Sequence, residues 1–399
     1  MQLSVMPGWL TLPLLSTRLL VLLVGVCVLL LPATGWLWNR IGGPQVARGA
    51  VRLGLLLACQ VSAVLLIAAA LNDYGYFYSS WSELLGRGAS GPAVTVQGPA
   101  RQLPDSVGVV GGSGRVLGPY RHQEGSQPAV AGQTVSVRLS GLRSGLSEVG
   151  YVYLPPEYFQ PRFAGYRFPA VEVLTGYPGQ AANLVQTLDF PAALLGAERA
   201  GTSGPMVLVM LRSSPAFPRD TECVDVPAGP QAMTFFAQDV PADVATLFRV
   251  RPLGWGAIGD STGGYCALKL AMTSSYVFPA AVALSGYLQP VHDRSTGDLF
   301  GGRPGLRADA DLLQRLADGR VPAAALLLTT SRTERGPSSL ANVQAFVARS
   351  RPPLVVETLV EPDGGHNFDS WRPELPTAMA WLSRHLDAPP PAGAQEPKR

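Results

Sequence analysis

The sequence is short of the residues from which disulfide scaffolds and metal centres are built. Its 399 residues contain four cysteines and four histidines, and no two cysteines stand in a Cys-x-x-Cys pair. Disulfide-rich domains need more cysteines, and zinc sites need closely spaced cysteine or histidine ligands. The sequence also lacks a glycine-rich phosphate-binding loop. We therefore expect no structural metal and no cofactor.

Charge is scarce as well. Charged residues make up 15% of the chain, against 47% hydrophobic residues, and the formal net charge is only +3. The basic residues are spread along the chain instead of forming a stripe with interleaved aromatic residues, so nucleic acid is not an expected partner. A chain this apolar is expected to have part of its length in lipid.

Two uncharged apolar runs account for this excess. Leu19–Trp38 and Leu53–Leu71 are each long enough to cross the hydrocarbon core of a bilayer, which takes about 20 residues. A cleaved signal peptide is the alternative for the first run, but that run lacks a clear basic leading segment and a second run follows closely. The sequence therefore predicts two transmembrane helices.

The distribution of arginines predicts the orientation of these helices. Arg40 and Arg48 lie in the short connection between the runs and Arg52 lies at the edge of the second, whereas only Arg18 flanks the outer end of the first. Cytoplasmic loops carry the excess of positive charge. We therefore expect a multi-pass cell-membrane protein in which everything after Leu71 is extracytoplasmic.

Composition divides the chain into four parts. Residues 1–86 are expected to form the membrane anchor, which ends in a Tyr- and Trp-rich segment suited to the membrane interface. Residues 87–132, rich in Gly, Pro, Ser and Gln, predict a flexible linker. Residues 133–387 predict a folded catalytic domain, and residues 388–399 predict a disordered tail.

The predicted catalytic domain alternates apolar strands with helices. Two segments with β-branched alternation come first, at 134–141 and 149–159. Six further apolar, strand-like segments begin near residues 170, 206, 255, 280, 323 and 354. Continuous apolar strands that alternate with helices are typical of an α/β domain with a mostly parallel central sheet covered on both faces.

A Gly-x-Ser-x-Gly motif follows one of these strands. Residues 259–263 read GDSTG, directly after an apolar strand and directly before a helical pattern. A sharp strand-to-helix turn exposes the serine hydroxyl above the sheet, and the glycines permit the close approach of strand and helix. In this context the sequence predicts that Ser261 is a nucleophile, whereas the motif by itself would be weak evidence.

A nucleophilic serine needs a histidine as its base. Where a serine stands on such a turn, the triad runs serine, acid and histidine along the chain, which excludes His122. His292 follows the serine too soon for an acid-bearing strand to intervene, and His385 lies within the last predicted helix. His366, in a loop between the last strand and the last helix, is therefore the predicted base.

The acid is expected after the strand that lies between Ser261 and His366. The segment LLLTTSRTERG places Glu334 there, where it would fix the tautomer of the histidine and stabilise the imidazolium. Asp363 is the rival, although its place in a Pro-Asp-Gly-Gly turn near the histidine favours a role in shaping the loop.

Two backbone amides are expected to form an oxyanion hole. One belongs to Thr262, the residue after the nucleophile, and Tyr177 in the loop after the strand near residue 170 is our candidate for the other. Cys223 and Cys266 both lie in the catalytic domain and could form a disulfide if that domain is exported. The alternative is two ordinary buried thiols.

In this order, the motifs resemble those of the putative esterase family, which includes esterase D and the mycobacterial antigen 85 mycolyltransferases. The resemblance covers roughly Thr134 to His385 and rests on LTGYPG, GDSTGGYCAL, ALSGYLQP, Glu334 and GGHNFDSW. With its two apolar runs and its DTECVD segment, the whole chain looks like the actinobacterial membrane-anchored members. The resemblance implies the α/β-hydrolase fold and an acyl-enzyme mechanism on ester substrates.

The resemblance does not extend to the sugar site of antigen 85. In that group the oxyanion loop carries an Asp and an Arg that hold trehalose, whereas the loop of this chain reads LTGYPGQAAN and has neither. We therefore expect an extracytoplasmic serine esterase or acyltransferase acting on lipid or cell-envelope esters. The alternative is a catalytically silent envelope-binding or adhesion module. No pattern in the sequence sets an oligomeric state.

Overall fold

The computed structural model of the protein describes residues 16–75, 114–120, 127–332, 334, 336–362 and 364–389. The chain divides into two compact units, residues 1–101 and 102–399. Most of the Tyr- and Trp-rich segment predicted at the end of the anchor, and most of the predicted tail, lie outside the described residues.

The first unit contains two long helices, Thr17–Trp38 and Gln45–Gly75. Each has an 18-residue window with a mean hydropathy of 2.4, of which only 11% is buried, so both are long and apolar enough to cross a membrane. The second helix begins at Gln45 and not at Leu53, as the apolar run alone predicted. The turn that contains Gly43, at φ 103°, and Pro44 separates the helices, and residues 45–52, a mixed stretch with two arginines, extend the second helix back to that turn.

The second unit is built on a nine-stranded sheet, in the order β1-β2-β3-β5-β4-β6-β7-β8-β9. Strands β1, β2 and β3 join the sheet through antiparallel pairs, and the six strands β4 to β9 are parallel to one another. The strands are β1 Arg115–Pro119, β2 Gln133–Ser140, β3 Ser147–Leu154, β4 Ala170–Thr175, β5 Val207–Arg212, β6 Gly256–Asp260, β7 Ala280–Leu284, β8 Ala325–Ser331 and β9 Val355–Glu361.

The predicted α/β fold with a mostly parallel sheet is confirmed. The two alternating and six apolar segments that the sequence predicted correspond to the eight strands β2 through β9. The prediction of a flexible linker over residues 87–132 differs from the structure at β1, which pairs with β2. This strand lies at the edge of the sheet and has no buried residue, so it has no apolar run that could identify it.

Helices cover both faces of the sheet. They are Pro128–Ala131, Ala181–Gln186, Phe190–Arg199, Ala232–Thr234, Val240–Leu247, Thr262–Thr273, Pro304–Ala310, Leu312–Ala317, Leu340–Arg349, Phe368–Trp371 and Leu375–His385. Single turns of 3₁₀-helix lie at Pro156–Phe159, Pro161–Phe163, Gly336–Ser338 and Arg372–Glu374, and a turn of π-helix lies at Phe235–Asp239.

The centre of the sheet fixes where the functional groups lie. Every residue of β4, β6, β7 and β8 is buried, as expected for parallel strands covered on both faces. Because these strands run in one direction, their carboxyl ends share one edge of the sheet. Ligands of open α/β sheets bind outside that edge, and the residues that follow β4, β6, β8 and β9 are the ones that the sequence analysis selected.

Candidate active site

Ser261 stands on a strained turn between β6 and the helix Thr262–Thr273, which we call the elbow helix. Its φ and ψ of 53° and −119° are unusual for a non-glycine residue. A Cβ atom on Gly259 would lie 2.3 Å from the backbone of Gly263, and one on Gly263 would lie 1.9 Å from the carbonyl oxygen of Leu174. Both glycines are therefore required for the strand and helix to approach, and strain of roughly 1–3 kcal/mol is retained at the serine.

His366 reaches this turn from the loop after β9. Its Nε2 lies 2.8 Å from Oγ of Ser261, and its ring packs edge-on against Trp371, with centroids 5.0 Å apart. Asn367 caps the helix Phe368–Trp371, because its side chain accepts a hydrogen bond from the amide of Ser370. The cap fixes the loop, and the imidazole remains 41% exposed and so accessible from solvent.

Neither of the other two described histidines has a hydrogen bond to Ser261. His385 is bonded within the last helix through Nδ1 to the carbonyl of Trp381, and His292 is exposed on the loop after β7. His122 lies outside the described residues.

Glu334 completes a hydrogen-bonded path from Ser261. Its Oε1 lies 2.8 Å from Nδ1 of His366 and accepts a hydrogen bond of 2.7 Å from Ser338, and its Oε2 accepts one of 2.7 Å from Ser285. Burial favours the neutral acid, but the hydrogen bonds from His366, Ser285 and Ser338 outweigh it and hold the pKa of Glu334 below its usual range. Asp363, the rival acid, lies outside the described residues.

This arrangement has the geometry needed to activate a serine. An ionised Glu334 accepts the Nδ1 proton of His366, which leaves Nε2 free to accept the hydroxyl proton of Ser261. The predicted nucleophile, base and acid are each within direct hydrogen-bonding distance of the next. Among the described residues, no three His, Cys, Asp or Glu side chains are grouped as they would be around a metal ion.

Ser285 and Trp371 support the acid, and the sequence analysis missed both. Ser285 follows β7 with φ 47°, donates to Glu334, and accepts a hydrogen bond of 2.9 Å from Nε1 of Trp371. The Ser-Gly pair at the end of an apolar strand is the only sequence signal for this role, and it does not identify the partner.

The two predicted oxyanion residues flank Ser261. Thr262 is the first residue of the elbow helix, so its amide has no acceptor within that helix. The loop of Tyr177 touches the same turn, since a Cβ atom on Gly176 would lie 2.9 Å from Cβ of Ser261. Within the described part of the chain, no acceptor is recorded for the amide of Tyr177, and its hydroxyl donates to the carbonyl of Pro218 at 2.7 Å.

Asp260 fixes this loop to the turn. Its Oδ2 accepts a hydrogen bond of 2.9 Å from the amide of Gly176, while Oδ1 has no partner among the described residues. Burial raises the pKa of Asp260 to about 7, although the Gly176 amide and the charge of His366 act in the opposite direction. The sequence analysis treated this residue only as a variable position of the motif.

Cys223 and Cys266 are joined by a disulfide, with their Cα atoms 5.6 Å apart. Cys266 lies on the elbow helix, and Cys223 lies in the segment Asp220–Asp225, which we call the strap. The disulfide therefore ties the strap to the helix that begins beside Ser261. Cys27 and Cys59 are free thiols.

Comparison with known proteins places this geometry in a family. The sequence profile described as putative esterase matches residues 148–382. No curated protein matches the chain in sequence.

Solved structures share the fold at low sequence identity. An S-formylglutathione hydrolase from Agrobacterium tumefaciens has a TM-score of 0.55 at 14% identity, covering 68% of this chain and 99% of its own. A ferulic acid esterase has a TM-score of 0.53 at 16% identity, with coverages of 64% and 99%. The fluorophosphonate-binding serine hydrolase F of Staphylococcus aureus has a TM-score of 0.51 at 15% identity, with coverages of 63% and 98%.

Proposed function

The chain belongs to the putative esterase family, as its motifs predicted, and we propose that it is a membrane-anchored serine esterase or acyltransferase that acts through an acyl-enzyme. The observation that carries the proposal is the continuous hydrogen-bonded path from Ser261 through His366 to Glu334, with each step at 2.8 Å. This path starts at a strained serine whose hydroxyl faces the carboxyl edge of the sheet.

The proposed reaction has two steps. Oγ of Ser261 attacks the ester carbonyl while Nε2 of His366 takes its proton, and the resulting oxyanion accepts hydrogen bonds from the amides of Tyr177 and Thr262. When the C–O bond of the ester breaks, His366 returns the proton to the leaving alcohol. Water or an acceptor alcohol then attacks the acyl-enzyme, and its proton follows the same path back to Ser261.

The two helices of the first unit support a membrane location. Cations lie beside tryptophan rings where the two helices meet their connection, because the guanidinium of Arg40 lies 4.0 Å from the ring centroid of Trp36 and that of Arg52 lies 4.9 Å from the ring centroid of Trp38. Tryptophan and arginine are both suited to the headgroup region, and positive charge favours the cytoplasmic side. Two spans would then place the catalytic unit outside the cytoplasm, near lipid and cell-envelope esters.

The test of the activity uses the full chain in detergent and a fluorophosphonate probe. We expect wild type to be labelled and to hydrolyse p-nitrophenyl esters, Ser261→Ala to lose both properties, and His366→Ala to lose them almost completely. Ester panels with and without acceptor alcohols separate hydrolysis from transfer. Absence of labelling in a folded wild type would instead favour the envelope-binding module.

The topology has its own test. Alkaline phosphatase is active only outside the cytoplasm, so fusions after residue 42 and after residue 75 distinguish the two sides. We expect activity only from the second fusion. Activity from the first fusion, or none from the second, would contradict the proposed orientation without bearing on the chemistry of Ser261.

A further inference from the structure

A row of buried hydrogen bonds connects the strap to the first residue of the elbow helix. The hydroxyl of Tyr287 lies 2.6 and 2.8 Å from the two carboxyl oxygens of Glu222 and 3.0 Å from Oγ1 of Thr262. All three side chains are buried, with residue exposures of 0% for Glu222, 6% for Tyr287 and 4% for Thr262. None of the three side chains has a hydrogen bond to Ser261 or His366, so the path from Ser261 to Glu334 does not account for these buried hydrogen bonds.

The available protons determine which group donates in each of these hydrogen bonds. A tyrosine hydroxyl donates one proton and its oxygen can accept another. Burial raises the pKa of Glu222 to about 8, so at neutral pH its carboxyl group keeps a proton for the oxygen of Tyr287, and the hydroxyl of Tyr287 donates its own proton to Oγ1 of Thr262. The side chain of Thr262 is thereby held in one direction, whereas a free threonine hydroxyl at a helix start competes for nearby backbone groups.

The strap that carries Glu222 is strained and firmly held. Glu222 and Cys223 have φ values of 46° and 47°, which non-glycine residues adopt only where the surroundings impose them. The disulfide to Cys266 and a 2.7 Å hydrogen bond from Nζ of Lys269 to the carbonyl of Cys223 fasten the strap to the elbow helix. Asp220 also accepts a hydrogen bond of 3.0 Å from the amide of Glu222.

These contacts converge on Thr262, whose amide is one of the two oxyanion donors in the proposed mechanism. We propose that Tyr287, itself held by Glu222, is a positioning residue that aims this amide at the oxyanion. Such donors must lie about 2.7–3.1 Å from the developing charge, and the amide between Ser261 and Thr262 can turn only if the side chain of Thr262 moves. The inference rests on the proposed acyl-enzyme function and deepens it.

The competing interpretation is that the hydrogen bonds of Tyr287 only stabilise the core. Tyr265 provides a matched control. Tyr265 lies on the elbow helix and stacks on Tyr287, with centroids 5.2 Å apart and rings 16° from parallel. It is equally buried, and its hydroxyl donates to the carbonyl of Ala310 at 2.7 Å. Tyr265→Phe therefore removes a buried tyrosine hydroxyl that has no hydrogen bond to Thr262.

The experiment compares Tyr287→Phe with Tyr265→Phe in the full chain in detergent. For Tyr287→Phe we expect kcat on an activated ester to fall on the order of tenfold to a hundredfold, less than the loss of an oxyanion donor itself, with KM nearly unchanged. The rate of fluorophosphonate labelling should fall in parallel. Tyr265→Phe should lower the melting temperature comparably and leave kcat within about twofold. Equal losses of kcat in the two variants would overturn the proposal.

Glu222 supplies a second, independent readout. Burial, together with the neighbouring Asp220, raises the pKa of Glu222 to about 8, so Glu222→Gln preserves both the shape and the neutral form and should retain most of the activity. Glu222→Ala should lower kcat as Tyr287→Phe does, and the double variant should lose no more than either single one, since the two act through one path. Additive losses would contradict this.

The outcomes also distinguish failure of the positioning role from failure of the proposed esterase or acyltransferase function. If wild type neither labels nor hydrolyses esters, the proposed function fails. If wild type is active and depends on Ser261, but Tyr287→Phe and Tyr265→Phe behave alike, only the positioning role fails.

Discussion

Two buried carboxyl groups at the same edge of the sheet differ in their ionisation. Glu334 accepts hydrogen bonds from four neighbouring side chains, those of His366, Ser285, Ser338 and Thr330. Its pKa lies below the usual range despite its burial. Asp260 is fully buried and accepts one strong hydrogen bond, from the amide of Gly176, and its pKa rises to about 7. At Glu334 the donors outweigh the effect of burial, whereas at Asp260 burial outweighs the single donor, so the balance between the two decides the ionisation of each group.

This difference matches the roles proposed for the two regions. Beside His366 a fixed negative charge stabilises the imidazolium that forms when Ser261 attacks. On the oxyanion side a full negative charge on Asp260 would oppose the charge that develops on the substrate oxygen. A carboxyl group that retains its proton below about pH 7 can hold the loop of Gly176 with a smaller electrostatic penalty.

The largest expected effect comes from neutralising each carboxyl group in turn. Glu334→Gln removes the acceptor that fixes the tautomer of His366, so kcat should fall on the order of 10⁴-fold. Asp260→Asn keeps an oxygen for the amide of Gly176 and should change kcat by less than about tenfold. Steady-state kinetics on an activated ester measure both, and melting temperatures check the fold. Similar losses of kcat in Glu334→Gln and Asp260→Asn would show that the charge of the two carboxyl groups does not matter differently to catalysis.

The second expected effect is on stability against pH. The pKa of Asp260 is about 7 in the folded chain against an ordinary 3.8, so the folded state keeps a proton that the unfolded chain releases from about pH 4 upward. The stability that this proton confers is present below that pH and is lost as the pH rises through about 7. The full difference corresponds to roughly 4 kcal/mol.

Asp260→Asn is the variant that isolates this effect. Relative to wild type it should gain stability as the pH rises from 4 to 8, and the melting temperature of the full chain in detergent should show the gain. Glu222 and Glu374 also have raised pKa values, but they are present in both proteins and cancel in the difference. A difference that is constant with pH would show that Asp260 is ionised throughout.

The same contrast explains what the sequence could predict. Strand order and the Gly-x-Ser-x-Gly motif place Ser261, Glu334 and His366 at one edge, because the carboxyl ends of parallel strands must meet there, and the structure does bring the three side chains together. The residues that support this site are different in kind. Ser285 meets Glu334 across 49 positions of the chain, and Tyr287 meets Glu222 across 65. No local periodicity encodes such pairs, and neither does it identify the exposed edge strand β1.

The smallest expected effect distinguishes Ser285 from Ser338 as hydrogen-bond donors to Glu334, through the melting temperature and its pH dependence. The folded pKa of Glu334 is lowered, so the stability it confers is present above the ordinary value of 4.5 and is lost as the pH falls through the folded value. Ser285→Ala and Ser338→Ala each remove one donor and so raise the folded pKa of Glu334 towards 4.5, and in both variants the acid-side fall in melting temperature should be smaller and should end at a higher pH than in wild type. At neutral pH Ser285→Ala should be the less stable, by about 1–3 kcal/mol, because it also leaves the buried Nε1–H of Trp371 without its acceptor. If neither substitution moved the acid-side fall, hydrogen bonding would not be what keeps Glu334 ionised, and the contrast with Asp260 would need another cause.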